Sequence, residues 1–368
     1  MNRSDRQETM EVEIPFGSNY VRLTGYEWLI VAVTISALFY FVPKLWEQVE
    51  KFKPGSDYRL PYKLSDDYWL FTRYCQWVRS TEKMLVVGDS VIWGHYVSKD
   101  NTLSGYLNKI AGRDMFVNMG VDGIHPVALA GLLRYYGHDI TGKNVILHFN
   151  PLWMSSEKHD LQIEKEFNFN HPELVPQFIP KIPCYKTSFS VRIKSVIERY
   201  ISFFSWTSHL KRTYFDNMDP PRWTLEHPYE NPLKNITLQL PVSNNYNGNE
   251  NIPWYEKGVT KQDIQWIAIE TSLQWRFFRH SVQFLKKRGN RVFVLVGPFN
   301  EHILKDASID VYQQMKRNIK DWLQQNNIPY YMPEALPSEM YCDASHPLSE
   351  GYAELAKQLF KYVYGGAD

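Results

Sequence analysis

Residues 84–90 read MLVVGDS: Met84, Leu85, Val86 and Val87 make a short apolar run, Gly88 closes it, and Asp89 and Ser90 follow, with Gly94 beyond them. A brief aliphatic run ended by glycine reads as a strand buried on both faces, the kind found in parallel sheets. Glycine at its end lets the chain turn sharply. A serine entering a helix there lies beside N–H groups that lack intrahelical partners and can face a developing oxyanion. The same serine would serve equally as a plain N-cap, so this stretch speaks first to fold and only then to chemistry.

An α/β rhythm extends from it. A helix is expected over about Thr102–Ile110, a strand over Met115–Asn118, a helix over Pro126–Tyr136 and a strand over Val145–Phe149. The rhythm breaks across residues 151–260, which are rich in Pro, Asn and aromatic residues and include the turn-rich stretch Ser243–Asn251. It resumes where Ile264, Ile267, Thr271, Trp275, Phe278, Val282 and Leu285 recur at helical spacing, closed by Gly289. Strands at Arg291–Val296 and Ile328–Tyr331 flank a helix marked by Val311, Met315, Ile319, Trp322 and Leu323. Pro347 is expected to open a final helix with the stripe Leu348, Tyr352, Leu355, Leu359 and Val363. Alternating strands and helices predict a three-layer α/β/α domain with about five parallel strands. Ligands in such sheets bind beyond the carboxyl ends of the strands.

Those ends carry polar residues in order. After the first strand stands Ser90. After the second come Asn118, Gly120 and Gly123, where the Gly120 N–H is a candidate oxyanion donor or the glycines simply make a turn. After the third comes Asn150, a candidate side-chain donor or a turn residue before Pro151. After the last come Asp343 and His346, then Pro347. A serine hydroxyl needs a base, histidine titrates near neutrality, and a carboxylate can orient the imidazole.

Taken together these blocks resemble the SGNH hydrolases, also called GDSL-type esterases, over roughly residues 83–150 and 290–364. The resemblance implies Ser90 as nucleophile, His346 as base, Asp343 as its orienter, and Ser90, Gly120 and Asn150 as oxyanion-hole residues. The third block departs from the family's G-x-N-D, reading His148-Phe149-Asn150-Pro151. NPLWMS at 150–155 and GPFN at 297–300 are similar to a membrane-anchored branch that includes the D-alanyl-lipoteichoic acid transfer and alginate O-acetylation proteins. That branch implies an extracytoplasmic (periplasmic) domain that modifies envelope polymers beside a membrane-bound O-acyltransferase.

The segment from Trp28 to Pro43, WLIVAVTISALFYFVP, carries no charge and has Glu27 and Lys44 at its edges. It falls short of the ~20 apolar residues a full crossing wants, a gap that snorkelling of Lys44 can narrow. Acidic residues precede it and no A-x-A site follows, so a retained single-pass anchor is expected over a cleaved signal or a core helix. Flanking charges lean weakly toward a cytoplasmic carboxyl side, against the branch resemblance. The chain accordingly divides into a tail at 1–25, an anchor at 26–44, a linker and lead-in helix at 45–80, and a catalytic domain at 81–368 with an insertion at 151–260.

The 41 basic and 40 acidic residues balance, and no basic run supports nucleic-acid binding. Three scattered cysteines make no metal pattern, and neither H-E-x-x-H, G-x-G-x-x-G nor a Walker loop occurs, so no metal or cofactor is expected. His95, His125, His138 and His148 read as structural. Trp223 and Trp254 in the insertion are candidate sugar-stacking residues, although packing of the insertion onto the core is the commoner role for such aromatics. The expected function is acyl transfer through an acyl-enzyme, as esterase or acyltransferase, on an acylated envelope saccharide or polymer. The rivals are a lipid or lysophospholipid esterase and a non-catalytic assembly partner.

Overall fold

The computed structural model describes residues 23–55, 57–240 and 252–364. Most of the expected tail and the turn-rich stretch Ser243–Asn251 lie outside them. The first helix is α1 (Gly25–Val49), followed by α2 (Tyr68–Arg79), β1 (Met84–Gly88) and α3 (Ser90–Trp93). Next come α4 (Leu103–Ala111), β2 (Phe116–Gly120), α5 (Pro126–Tyr135) and β3 (Asn144–Phe149). The insertion holds α6 (Phe189–Tyr200), α7 (Ser202–Tyr214), α8 (Pro220–Glu226) and α9 (Pro232–Asn235). The sheet is completed through α10 (Leu273–Lys287), β4 (Arg291–Val296), α11 (Asp306–Gln325), β5 (Tyr330–Tyr331) and α12 (Ser349–Tyr364).

All strand pairs are parallel, in the order β2-β1-β3-β4-β5. Successive side chains leave opposite faces of a strand, and each face has its own core. Leu85, Val87, Val117, Met119, Val145, Leu147, Val292 and Val294 point to the layer of α2, α5, α10 and α11. Val86, Phe116, Ile146 and Leu295 point to the layer of α3, α4 and α12. Burial on both faces is why these strands read as continuous apolar runs.

Two helix starts differ from expectation. The helix foreseen from about Asp263 begins at Leu273, because buried Asp160 accepts from the Leu273 and Gln274 N–H groups while Ser272 Oγ caps Trp275. Residues 263–271 are instead pinned individually, Ile264 N–H to Ser308 and Ile267 N–H to the Met154 carbonyl. The last helix begins at Ser349, since Pro347 is held in a bridge with Tyr341.

Helix α1 carries a capping box between Thr24 and Glu27, and its apolar length is almost bare of protein. That exposure rules out a core helix. Its carboxyl end, however, is built into the domain. Glu50 is buried and accepts from His209 Nε2 (2.9 Å) and Tyr214 Oη (2.7 Å). His209 Nδ1 reaches Asp67 Oδ2 at 2.7 Å, while Arg73 donates to the Glu47 carbonyl and pairs with Glu50. One buried imidazole thus joins α1, α2 and α7. Burial alone would keep it neutral, but Asp67 and Glu50 reverse this and raise its pKa to about 9.

His209→Ala should destabilise the full-length protein in detergent by ~3–5 kcal/mol, because two buried carboxylates lose their common partner. In the wild type the contribution from His209 is fully present below its unfolded pKa of ~6.5 and disappears as pH rises through about 9. Asp67, held low by His209 despite its burial, withdraws its contribution as the medium turns acid, below the ordinary carboxylate range. Denaturant melts across pH check both limbs, and a flat alkaline limb would contradict this account.

Candidate active site

Ser90 is the first residue of α3, immediately beyond β1. Asp89 caps the turn through its carboxylate, which accepts from the Val91 N–H at 3.0 Å. The turn rests directly on β2. A Cβ added to Gly120 would lie 2.2 Å from the Trp93 nitrogen, so only glycine permits this approach of strand and helix backbone. Asn118 fastens the same contact, donating from Nδ2 to the Ile92 carbonyl (2.8 Å) and accepting the Gly120 N–H on Oδ1 (3.0 Å). From the linker, buried Arg59 donates to the carbonyls of Trp93, Gly94 and Val97, and its guanidinium lies over the Trp93 ring.

His346 and Asp343 come from the loop before α12. His346 Nε2 stands 2.8 Å from Ser90 Oγ, and His346 Nδ1 stands 2.8 Å from Asp343 Oδ2. Asp343 also accepts the N–H groups of Ser345 and His346, each at 2.9 Å. With the Nδ1 proton donated to a carboxylate, Nε2 is left to accept from the serine hydroxyl. Burial of Asp343 opposes ionisation, but His346 and the two backbone donors overcome it and hold the carboxyl far below the usual range. Burial likewise opposes a charged imidazole, and Asp343, with smaller help from Asp89 and Asp122, raises the His346 pKa. About a third of the Asp343 side-chain surface remains open to solvent.

The other expected site residues fare differently. The Gly120 N–H is already committed to Asn118, and the glycine serves strand-to-helix packing, which corrects its expected role as oxyanion donor. Two residues on, the N–H groups of Asp122 and Gly123 donate to no group among the described residues. Gly123 takes a left-handed φ of 69°. Asn150 is buried; its Nδ2 donates to Asp89 Oδ2 (2.9 Å) and its Oδ1 accepts the Leu152 N–H, so one amide proton steadies Asp89. Trp223 is buried against Phe215 and stacked on His227, and Trp254 is buried with Nε1 donating to Ser338. Neither tryptophan offers a ring face to a sugar, which corrects both expectations.

Three features near the serine had no clear sign in the sequence. Trp153 Nε1 donates to Asp89 at 2.9 Å, and His148 Nδ1 lies 3.2 Å from the same carboxylate, out of line for a hydrogen bond. Burial of Asp89 is outweighed by His148, Asn150 and Trp153, which bring its pKa to about 2. His95, read as structural, packs 5.4 Å from the His346 ring and pairs with Asp122 at 2.6 Å. Tyr96 sets its ring edge against His346 from a left-handed φ of 70°, unusual for a residue with a side chain. Beside Asp122 opens a polar cavity of about 360 Å³, lined by Tyr62, Asp66, Asp122, Asn170 and His171 among others.

No family model matches the chain, and no curated protein matches its sequence. Among solved structures, one assigned to the lipolytic G-D-S-L family, from Desulfitobacterium hafniense DCB-2, aligns with 77% of this chain and 99% of its own at 10% identity and a TM-score of 0.38. A likeness that low carries no argument, and the functional reading rests on the geometry above.

Gly120→Ala should lower stability by ~1–3 kcal/mol through overpacking against Trp93, with loss of activity following loss of fold. Gly123→Ala should cost less, about 1 kcal/mol for its left-handed φ, since its added Cβ meets only the end of the Asn170 side chain, and should lower kcat in the folded protein. Chemical melts beside ester turnover separate the two; equal damage to stability at both positions would remove the distinction drawn between them.

Proposed function

We propose that this chain is a membrane-tethered serine acyl-transfer enzyme of the SGNH kind, acting outside the cytoplasm on O-acyl groups of an envelope saccharide or similar polymer. The observation that carries the chemistry is the unbroken relay from Ser90 Oγ through His346 to Asp343, with 2.8 Å at each step.

In this mechanism Ser90 Oγ attacks the acyl carbonyl as His346 Nε2 takes the hydroxyl proton. The oxyanion is met by the N–H at the start of α3 and those of Asp122 and Gly123. Collapse expels the alcohol, which receives the proton from His346 and leaves an ester on Ser90. Water or an acceptor hydroxyl then attacks, giving its proton to His346 and restoring the serine. Because the working base is neutral, kcat/KM should fall with acid, and the raised His346 pKa moves that fall upward from the ordinary histidine value.

The tether is supported by the way Trp46, Glu47 and Glu50 are built into the domain, which a removable leader would not be. The choice of polymer over bilayer lipid is supported by direction. Glu50 meets Asp67 through His209 at the start of α2, whereas Glu47 meets Arg73 and Gln76 further along it. Followed backward, α1 therefore runs toward the end of α2 that feeds β1, the end of the sheet opposite Ser90. A serine on the far side from the span suits a substrate reaching up from the envelope, and the polar cavity beside Asp122 suits a hydroxylated one. A membrane-bound O-acyltransferase would be a natural donor partner in this reading.

Ser90→Ala should abolish fluorophosphonate labelling and small-ester turnover while the fold survives. His346→Ala should be about as severe and the double variant little worse, since the two act as a unit. Asp343→Asn should cost less than the ~10⁴-fold seen in buried triads, because solvent reaches the carboxylate. Labelling that persists in Ser90→Ala would sink the nucleophile assignment.

A hydroxylated acceptor held beside the acyl-enzyme competes with water through an effective molarity on the order of 10⁵ M. Adding envelope oligosaccharides should therefore divert acyl groups from water to sugar, as read by mass spectrometry, and Asn170→Ala should lower that partition more than it lowers hydrolysis. Fast hydrolysis with no acylated sugar would leave an esterase and remove the transferase.

A further inference from the structure

Helices α5, α6 and α10 end at the same side of the domain, the end toward which α1 runs. There Arg134, Tyr135, Arg199, Tyr200, Lys287 and Arg288, with His138 and Phe284, line a groove of about 500 Å³. Two of its cations are occupied within the fold. Arg288 donates to the carbonyls of Leu133 and Gly137, and Arg199 to those of Glu173 and Val175, closing helix and loop ends. Arg134 and Lys287 are exposed, with Arg134 lying over the Tyr135 and Phe284 rings.

The corner between α6 and α7 adjoins this groove and is apolar. Tyr200 is 69% exposed and Ile201 37%. The next two rings touch the span itself: Phe203 stacks on Phe39 with centroids 4.3 Å apart, and Phe204 meets it edge-on at 5.5 Å. Phe39 precedes Pro43 and Lys44, where the uncharged stretch ends, by about one helical turn, roughly 6 Å of rise. Helix α7 runs beside α1 in the same direction, Phe203 meeting Phe39, Trp206 meeting Trp46 and His209 meeting Glu50 in turn. If the uncharged stretch of α1 lies in hydrocarbon, the start of α7 lies there with it.

We infer that the α6–α7 corner dips into the bilayer that α1 crosses, and that the groove beside it receives the phosphate-bearing headgroups of anionic lipid. This inference rests on the tether proposed above. Aromatic and aliphatic side chains at 200–204 would occupy the acyl boundary, and Arg134 and Lys287 the headgroup layer, the arrangement of an interfacial anchor. It accounts for the shortness of the uncharged stretch, because a second element shares the burial. It also accounts for a cationic, aromatic groove at the end of the domain farthest from Ser90, in a chain whose overall charge is near zero.

The test uses the full-length chain in bilayer nanodiscs of phosphatidylcholine with or without phosphatidylglycerol. Nitroxide labels are placed by Ile201→Cys and, as an aqueous reference at the opposite end, by Val311→Cys. The native cysteines are buried. The Ile201 label should collide several-fold less often with a water-soluble nickel chelate than the Val311 label, and more often with oxygen. Arg134→Glu with Lys287→Glu should raise nickel access at Ile201 in anionic discs and leave it nearly unchanged in neutral ones. Equal nickel access at Ile201 and Val311, in protein that resists alkaline carbonate extraction, would overturn the dipping corner while the tether stands. Release by carbonate would overturn the tether and this inference with it. Indifference to the double charge reversal in anionic discs would overturn the headgroup contact.

Discussion

Everything at the site depends on how closely the backbone of α3 can lie on β2. Gly120 is the constraint: with any side chain there, the turn that presents Ser90 would be lifted off the sheet by the width of a methyl group. Once the turn is seated, the other contacts follow from it. Asn118 ties it from below, Arg59 gathers the carbonyls that follow it, and Tyr352 of α12 donates to the Val91 carbonyl at 2.7 Å. That last bond matters because α12 directly follows the loop bearing His346. Ser90 and His346, far apart in sequence, are thus braced against each other by the packing that forms the second core.

A second set of contacts lies behind the serine. Asp89 faces away from the base and gathers Asn150, Trp153 and the Val91 N–H. The altered third block, in which proline follows Asn150, fits this arrangement. Pro151 opens a short 3₁₀ turn that carries Trp153 to Asp89, so the asparagine and the tryptophan grip one carboxylate together. The acidic residue before the nucleophile is then a fixed, fully satisfied element of the turn, with no part as a base.

The parallel sheet was legible because β1 to β4 are largely buried on both faces and end at, or just before, a glycine or an asparagine. Ser90 drew attention by its place directly after β1, and Asp343 and His346 by their spacing on one loop before the last helix; the structure brings the three side chains within hydrogen-bond reach. What was not legible depends on partners distant in the chain. Nothing near Asp263 announces that Asp160 will cap a helix at Leu273. The insertion misled for a related reason. Trp223 and Trp254 were candidates for sugar stacking, with packing as the other reading, and the structure buries both, against Phe215, His227 and Ser338.

The imidazole of His209 fixes more than stability. A domain joined to its span by a slack linker would sweep a hemisphere, and its serine would visit every height within reach. Here the span, the lead-in helix and the insertion meet in one ionic clamp, so the domain is mounted as a fitting rather than hung on a leash. The serine then stands about one strand length, ~15–20 Å, above the base of the sheet. In the membrane-tethered enzyme proposed above, such a mount would act as a gauge, selecting where along a chain-like substrate reaction occurs by height, before any contact with the substrate itself selects by chemistry.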